Sequence, residues 1–345
     1  MQYAPVAITT LCRSQHFRRC LISLAANTCA KSTDVYIGLD YPVNESHRKG
    51  YEEICSFLAS FDSSSFHRLV VFRRKRNFGA VANARDVLDY VLARYDRYVF
   101  VEDDIEFAPC YLEYVNTLLE KYEGDERVEC ICGYSYPLAW QVRQDANAFF
   151  CNSTYSAWGA AGWKDRYIER KDFIESGGLD SAFEGACRTG IINKLINNRL
   201  VEYVMYSGIK VDPGISRRCM DITSGIYLMI VNRSVVIPTV SLTRNWGFDG
   251  SGVYCSKIVG ADGKNSQSYD YSAQPLLISE KFEPVVDETP SSESVNGQLL
   301  NDFLYVPKCK ILFAKFVVSL VSKFGLSAIG PLSRIIHALT RLKRR

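Results

Sequence analysis

The chain has 345 residues, with 41 Lys and Arg against 38 Asp and Glu, a formal net charge of +3. Hydrophobic residues make up 47% and charged residues 23%, ordinary globular values that exclude a disordered chain, a collagen and a small disulfide scaffold. The length allows one large domain or two, with a sizeable buried core.

Pro5 to Thr10 reads as a buried strand, and Phe17 to Ala26 as a helix with Phe17, Leu21 and Leu24 at helical spacing. A second strand runs from Asp34 to Asp40 and is broken by Tyr41-Pro42. Glu45 to Phe61 is helical, with Tyr51, Ile54, Phe57 and Leu58 on one face. Leu69 to Phe72 is a third strand, and Val81 to Tyr95 a helix with Val87, Leu88 and Val91 inward. Tyr98 to Val101 is a fourth strand, ended by Glu102-Asp103-Asp104. Cys110 to Tyr122 is helical, and Val128 to Cys132 is a fifth strand. This alternation predicts an α/β fold with a mainly parallel sheet flanked by helices. Ligands of such sheets bind at the carboxyl ends of the strands, near a switch in strand order. The loops after Thr10, Asp40, Phe72 and Val101 are therefore the ones expected to carry function. Residues 133–260 are mixed and rich in Gly, Trp and Tyr. Residues 261–307 are expected to form a loop or linker, and 308–345 a basic tail.

The twelve cysteines include no CxxC pair, and the N-terminus shows no export pattern. Reduced thiols that mostly fill the core are therefore expected, in the cytoplasm. The pair Cys130 and Cys132 is expected on opposite sides of its strand. His16, His47, His67 and His337 show no metal-ligand spacing.

Three acids follow the fourth strand with no spacer. Clustered carboxylates repel one another, and a divalent cation removes that repulsion. Mn²⁺ or Mg²⁺ takes one or two protein carboxylates and shares its other positions with water and phosphates. The other reading is a solvated acidic turn that caps the next helix. The basic run Arg73-Arg74-Lys75-Arg76 is either a solvated loop or a place where Arg76 neutralises phosphate.

The fuller string, Tyr98 to Tyr114, consists of an apolar strand, Glu-Asp-Asp, apolar, Glu, apolar, Ala-Pro and an aromatic helix. It resembles the metal-binding strand end of nucleotide-sugar glycosyltransferases of the GT-A fold, in particular the N-acetylglucosaminyltransferase I family and related bacterial sugar transferases. Leu11 to Leu21, Ser156 to Tyr167 and Thr243 to Gly252 resemble further segments of that family, in the same order, over roughly residues 5 to 255. The resemblance implies a catalytic domain over 1–260, with a nucleotide-binding half (1–135) and an acceptor half (136–260). It implies Asp104 as the direct metal ligand. Donor contacts would come from Thr10, Arg13, Asp40, Arg76, Glu102, Asp103, Gly250 and Ser251, with Asp40 reading the uracil. Trp158 and Trp163 would line the acceptor side. Asp221 would be the base that deprotonates the acceptor, with Asp165 as the alternative. In the family paired acids stand beside a Trp at the base, whereas this chain has Cys219-Met220-Asp221-Ile222.

The expected protein is thus a metal-dependent, inverting hexosyl- or N-acetylhexosaminyltransferase that uses a UDP-sugar. Its acceptor would be a glycan or lipid-linked sugar in surface polysaccharide synthesis. Two readings compete. A sugar nucleotidyltransferase would need a Gly-rich basic loop after the first strand, and Leu11-Cys12-Arg13-Ser14 has no glycine. A non-catalytic membrane-associated scaffold with the same fold is the other.

Nine of the basic residues lie between Lys308 and Arg345, where there is no acid, so the rest of the chain is acidic on balance. Residues 311–325 are expected to form a helix with Leu312, Phe313, Phe316, Val317, Leu320 and Phe324 on one face and Lys315, Ser319, Ser322 and Lys323 on another. Pro331 breaks it, and Ile335, Ile336, Leu339 and Leu342 repeat the pattern. Lys315 and Lys323 interrupt any spanning run. A helix lying on the anionic inner surface of a bacterial membrane is expected, or else one packed on the protein itself. Nucleic acid is not expected as a partner, because the apolar face is large and no binding module is recognised.

Overall fold

The computed structural model describes residues 3–135, 140–152, 155–194, 204, 220–249, 251–252, 276–291 and 308–329. Its first part alternates as the pattern predicts: β1 (Val6–Thr10), α1 (Ser14–Ala25), β2 (Asp34–Leu39), α2 (Glu45–Ser60), β3 (Arg68–Arg73), α3 (Ala80–Leu92) and β4 (Arg97–Glu102). A short strand β5 (Ile105–Phe107), α4 (Tyr111–Lys121) and β6 (Val128–Cys132) follow. Then come β7 (Ala148–Cys151), β8 (Ala160–Trp163), α5 (Lys164–Glu175), α6 (Gly178–Thr189), α7 (Met220–Val231), β9 (Ser234–Pro238), β10 (Thr243–Asn245), β11 (Val286–Ser291) and α8 (Lys308–Phe324).

Nine strands form one sheet in the order β11-β7-β9-β6-β8-β4-β1-β2-β3. β4, β1, β2 and β3 are parallel; β8 runs antiparallel to both β4 and β6, and β7 antiparallel to β9. The result is a mixed α/β fold with a large, mostly parallel central sheet flanked by helices. Both faces are covered, as parallel sheets require. Val6, Ile8, Val35, Ile37, Val99 and Val101 point into one apolar layer under α1, α2 and α4. Ala7, Tyr36, Tyr98 and Phe100 point into the other, under α3. This strict alternation follows from the two-residue period of a strand. For the same reason Cys130 and Cys132 share one face, beside Phe149 and Leu228, while Ile131 faces the other way. The expectation that the two cysteines lie on opposite faces is corrected. The cysteines of the described residues are free thiols, and Cys20, Cys110, Cys130, Cys132, Cys151 and Cys187 are buried.

The expected linker at 261–307 is corrected over 276–291. Leu276 and Leu277 pack on the core, Phe282 is buried with its ring 4.9 Å from that of Tyr114, and β11 pairs in parallel with β7 at the sheet edge. The Asn147 side chain secures this segment by accepting from Val285 N (2.8 Å) and donating to Glu283 O (2.9 Å). Residues 261–275 and 292–307 lie outside the described residues.

α8 forms as expected, but its faces differ from the expected ones. Ala314, Val317, Val318 and Val321 are buried in an apolar cluster with Leu179, Phe183 and Ala186 of α6, while Leu312, Phe316 and Phe324 are exposed. Val317 thus belongs to the packed side. Among the described residues no helix is long and apolar enough to cross a membrane. Residues 330–345 lie outside the described ones.

The parallel strands β1 to β4 end at one edge of the sheet. From β1 the chain proceeds outward through β2 and β3, then returns to β4 on β1's other side. The order reverses between β1 and β4, so the crevice in which sheets of this kind bind ligands is expected between the loops after Thr10 and Glu102.

Candidate active site

Two close backbone approaches shape the crevice. The loop after β1 lies against α2 at Gly50, where a Cβ would fall 1.9 Å from the Cys12 carbonyl oxygen; only glycine fits there. Arg13 comes next, immediately before α1. Its guanidinium forms an ion pair with Asp103 through Nη2 and with Asp104 through Nη1, the latter at 2.8 Å. Thr10 Oγ1 donates to Asp103 Oδ2 at 2.7 Å. The ends of β1 and β4 are thereby tied together by three contacts among four side chains, and Asp103 and Asp104 are only 4% and 6% exposed.

Burial pushes the Asp104 carboxyl pKa up, with Arg13 opposing the rise. Burial also disfavours the Arg13 charge, but the carboxylates of Asp103 and Asp104 outweigh it and raise the Arg13 pKa further. Both Asp103 oxygens are engaged by protein donors. Asp104 uses Oδ2 for Arg13, and its Oδ1 is buried without a hydrogen-bond partner. Buried polar atoms nearly always find a partner, so an orphaned carboxylate oxygen is an open ligand position.

The second close approach roofs the site. β10 pairs antiparallel with β5, opposing Asn245 to Ile105, and so carries the segment after β10 over the carboxylates. Trp246 N donates to Asp104 O at 2.8 Å. A Cβ on Gly247 would lie 2.2 Å from Asp104 Oδ2. Asn245 Oδ1 accepts from Gly247 N at 2.6 Å, and the Trp246 indole donates to Glu106 at 2.8 Å with the Arg19 guanidinium 4.0 Å over its ring. His16 Nε2 lies 3.1 Å from Trp246 O and 3.2 Å from Asp249 Oδ2. Burial works to raise the Asp249 pKa, but hydrogen bonds from Ser251 and the charges of His16 and Arg13 lower it overall.

The other expected residues divide. Glu102 is the exposed last residue of β4, beside Thr9 of β1. Ser251 is exposed, and its N–H donates to Asp249 Oδ1 at 2.8 Å. Trp158 is half-buried at the same sheet edge, 4.5 Å from the Tyr134 ring, and its carbonyl accepts from Thr243 Oγ1. Asp40 is buried, and its carboxylate accepts from the N–H groups of Tyr41, Phe78 and Gly79 and from Asn77 Nδ2. Four donors fill a carboxylate's acceptor sites, so Asp40 organises the loop before α3, and a base could reach it only by displacing one of them. Arg76 is exposed and lines a separate open cleft with Phe78 and Arg85, a cleft that includes none of the acids at 102–104. Asp221 opens α7 with its side chain outside the described residues, and Gly250 also lies outside them.

Two expectations are corrected. β8 runs antiparallel to β4 and puts Trp163 opposite Arg97, at the amino end of β4, about 16 Å along the strand from Glu102 at roughly 3.3 Å per residue. There Trp163 is buried, donates its indole N–H to Leu119 O and stacks on Arg166. It is core, not acceptor surface. Asp165 follows it, exposed at that same far edge, and is too distant to act as a base at the crevice.

No family model matches the chain, and no curated protein matches it. Solved structures do. One crystal structure of S. aureus TarS aligns with a TM-score of 0.34 at 12% identity, over 49% of this chain and 29% of that one. Another, of TarS 1–349, aligns with a TM-score of 0.38 at 9% identity, over 70% of this chain and 59% of that one. The chain thus spans less than two thirds of either structure.

Among the described residues no group of three or more His, Cys, Asp or Glu side chains is arranged to hold a metal ion. A cation that takes one or two carboxylates and completes its shell with phosphate and water needs no such group. The unpartnered Asp104 Oδ1 fits such a group, with Arg13 as the internal cation that holds the acids together. Sequence reasoning missed Gly50, His16 and Asp249. Nothing local in the sequence ties Gly247 to a residue at 104.

Proposed function

We propose that the chain is a nucleotide-sugar glycosyltransferase. It moves a hexosyl or N-acetylhexosaminyl group from a UDP-sugar to a glycan or lipid-linked acceptor during surface polysaccharide synthesis, on the cytoplasmic side of a bacterial inner membrane. One observation carries this reading. Two adjacent buried carboxylates, one with an unpartnered oxygen, stand at the switch between β1 and β4 under a backbone roof. A diphosphate fits such a crevice only with cations to meet its charge.

Asp104 Oδ1 would hold Mn²⁺ or Mg²⁺, with Asp103, tied to Thr10 and Arg13, as its support. Bound there, the cation supplies Lewis-acid stabilisation of the leaving diphosphate. Arg13, held by the same two carboxylates, would exchange part of that contact for the phosphates. The roof from Trp246 to Gly247 excludes water, which strengthens each of these charge interactions. The acceptor hydroxyl gives its proton to a carboxylate as it attacks the anomeric carbon from the side opposite the diphosphate. Asp221 is the residue we assign to that step, which general-base catalysis accelerates by about 10²- to 10⁴-fold.

Calorimetric titration with UDP tests the reading. UDP binds the wild type in the presence of Mn²⁺ and not after chelation, and Asp104→Asn loses at least about tenfold in affinity, or ~1.4 kcal/mol. Binding that ignores both the chelator and the substitution overturns it. Asp221→Asn binds UDP normally and transfers no sugar. Wild-type turnover in that variant removes Asp221 as the base.

A further inference from the structure

α8 has two unlike sides. Ala314, Val317, Val318 and Val321 fix it to α6, with Gly325 ending it and Leu326 N donating to Glu184 at 3.0 Å. At about 100° per residue, the opposite side carries Leu312, Phe316, Ser319 and Lys323, flanked by Lys308 and Lys315. Leu312 is 68% exposed, Phe316 52% and Phe324 66%; no other phenylalanine among the described side chains is exposed. The helix contains Lys308, Lys310, Lys315 and Lys323 and no acid. On α6 the Glu184 carboxylate is already paired with Arg188.

A leucine and two phenylalanines held in water on a rigid helix are unusual for a globular surface without a partner. Interleaved with lysines, they match one environment closely. The headgroup layer of an anionic bilayer offers an acyl boundary to rings and phosphates to amines a few ångströms apart. The sequence beyond α8 continues with Arg334, Arg341, Lys343, Arg344 and Arg345 and no acid, the same charge sign that such a surface selects.

We propose that the outward face of α8, with Leu312 and Phe316 among its lysines and the exposed Phe324 on its flank at the helix end, docks the protein on a bilayer rich in anionic phospholipid. The packed face keeps the helix attached to the body, so the contact is peripheral and shallow. This goes beyond the catalytic reading and does not depend on it.

Flotation of the full-length protein with vesicles tests it. The wild type floats with phosphatidylcholine vesicles containing phosphatidylglycerol and not with phosphatidylcholine alone. The triple variant Leu312→Ser, Phe316→Ser, Phe324→Ser loses at least about tenfold in partitioning, and Lys315→Glu with Lys323→Glu abolishes the preference for the anionic lipid. All three apolar positions are exposed, so the triple variant keeps the circular dichroism spectrum and melting temperature of the wild type; that readout separates loss of docking from loss of fold. A wild type that stays in the supernatant, or a triple variant that floats equally well, overturns the proposal. So does a wild-type dimer that the triple variant dissociates while neither binds vesicles, since the face would then join two copies of the chain.

Discussion

The Arg13 guanidinium stands 2.8 Å from the Asp104 carboxylate, so the loop that opens α1 and the loop that ends β4 are clamped by a largely buried ion pair. Removing one partner of such a pair strands the other. Arg13→Ala therefore loses about 3 kcal/mol of stability, read from urea unfolding. Mn²⁺ then raises the melting temperature of the variant more than that of the wild type, because the cation replaces the missing positive charge. Equal stability of variant and wild type would show that water reaches the two acids.

Gly247→Ala drives a methyl group into Asp104 Oδ2, where the Cβ would sit at 2.2 Å. Either the roof lifts or the carboxylate turns. Overpacking of this kind costs about 1–3 kcal/mol, and UDP affinity falls with it. Calorimetry and thermal melting together measure both losses. Gly50→Ala has the same effect from the other side of the crevice, through the Cys12 carbonyl.

Trp163→Phe and Asp165→Asn leave UDP binding and sugar transfer at wild-type levels. Trp163→Phe still lowers stability by about 1 kcal/mol, because the indole hydrogen bond to Leu119 O is lost. Loss of transfer in a folded Asp165→Asn would contradict its position at the amino end of β4.

Asp34 supplies a dependence on pH remote from the crevice. Burial tends to raise its pKa, but hydrogen bonds from Tyr95 and His67, the latter at 2.6 Å, hold it below the usual carboxylate range. A carboxyl whose folded pKa is depressed adds stability that is complete above its unfolded value, about 3.9, and is lost as the pH falls through the folded one. Asp34→Asn is accordingly less stable than the wild type at neutral pH, and the gap narrows below about pH 4. Urea midpoints across that range measure it.

The parallel half of the fold was legible because its strands are apolar on both faces and its helices on one. The acids after β4 were legible for a related reason, since three carboxylates against a buried strand need a partner. Their partner was not. Arg13 reaches Asp103 and Asp104 only through strand order, and Gly247 reaches Asp104 only through the β5–β10 pairing. Trp158 and Trp163 fall five residues apart in one motif, yet β8 spans that interval and carries them to opposite edges of the sheet. β11 reads Val-Asp-Glu-Thr-Pro-Ser, with little apolar content, so its strand comes from the edge of β7 and not from its own pattern. α8 carries large apolar residues on more than one side, and which of them packs is decided by α6.

The place of β11 has a consequence for biosynthesis. The strands β1 to β4 leave the ribosome in close succession and find their neighbours at once. β7 emerges midway, and the strand that covers its outer edge is translated only much later. Throughout that interval the nascent polypeptide displays a row of unpaired amides and carbonyls, the feature that invites mispairing between chains. Slowed elongation between the codons for β7 and β11 would therefore favour aggregation during synthesis, whatever the final stability of the finished molecule.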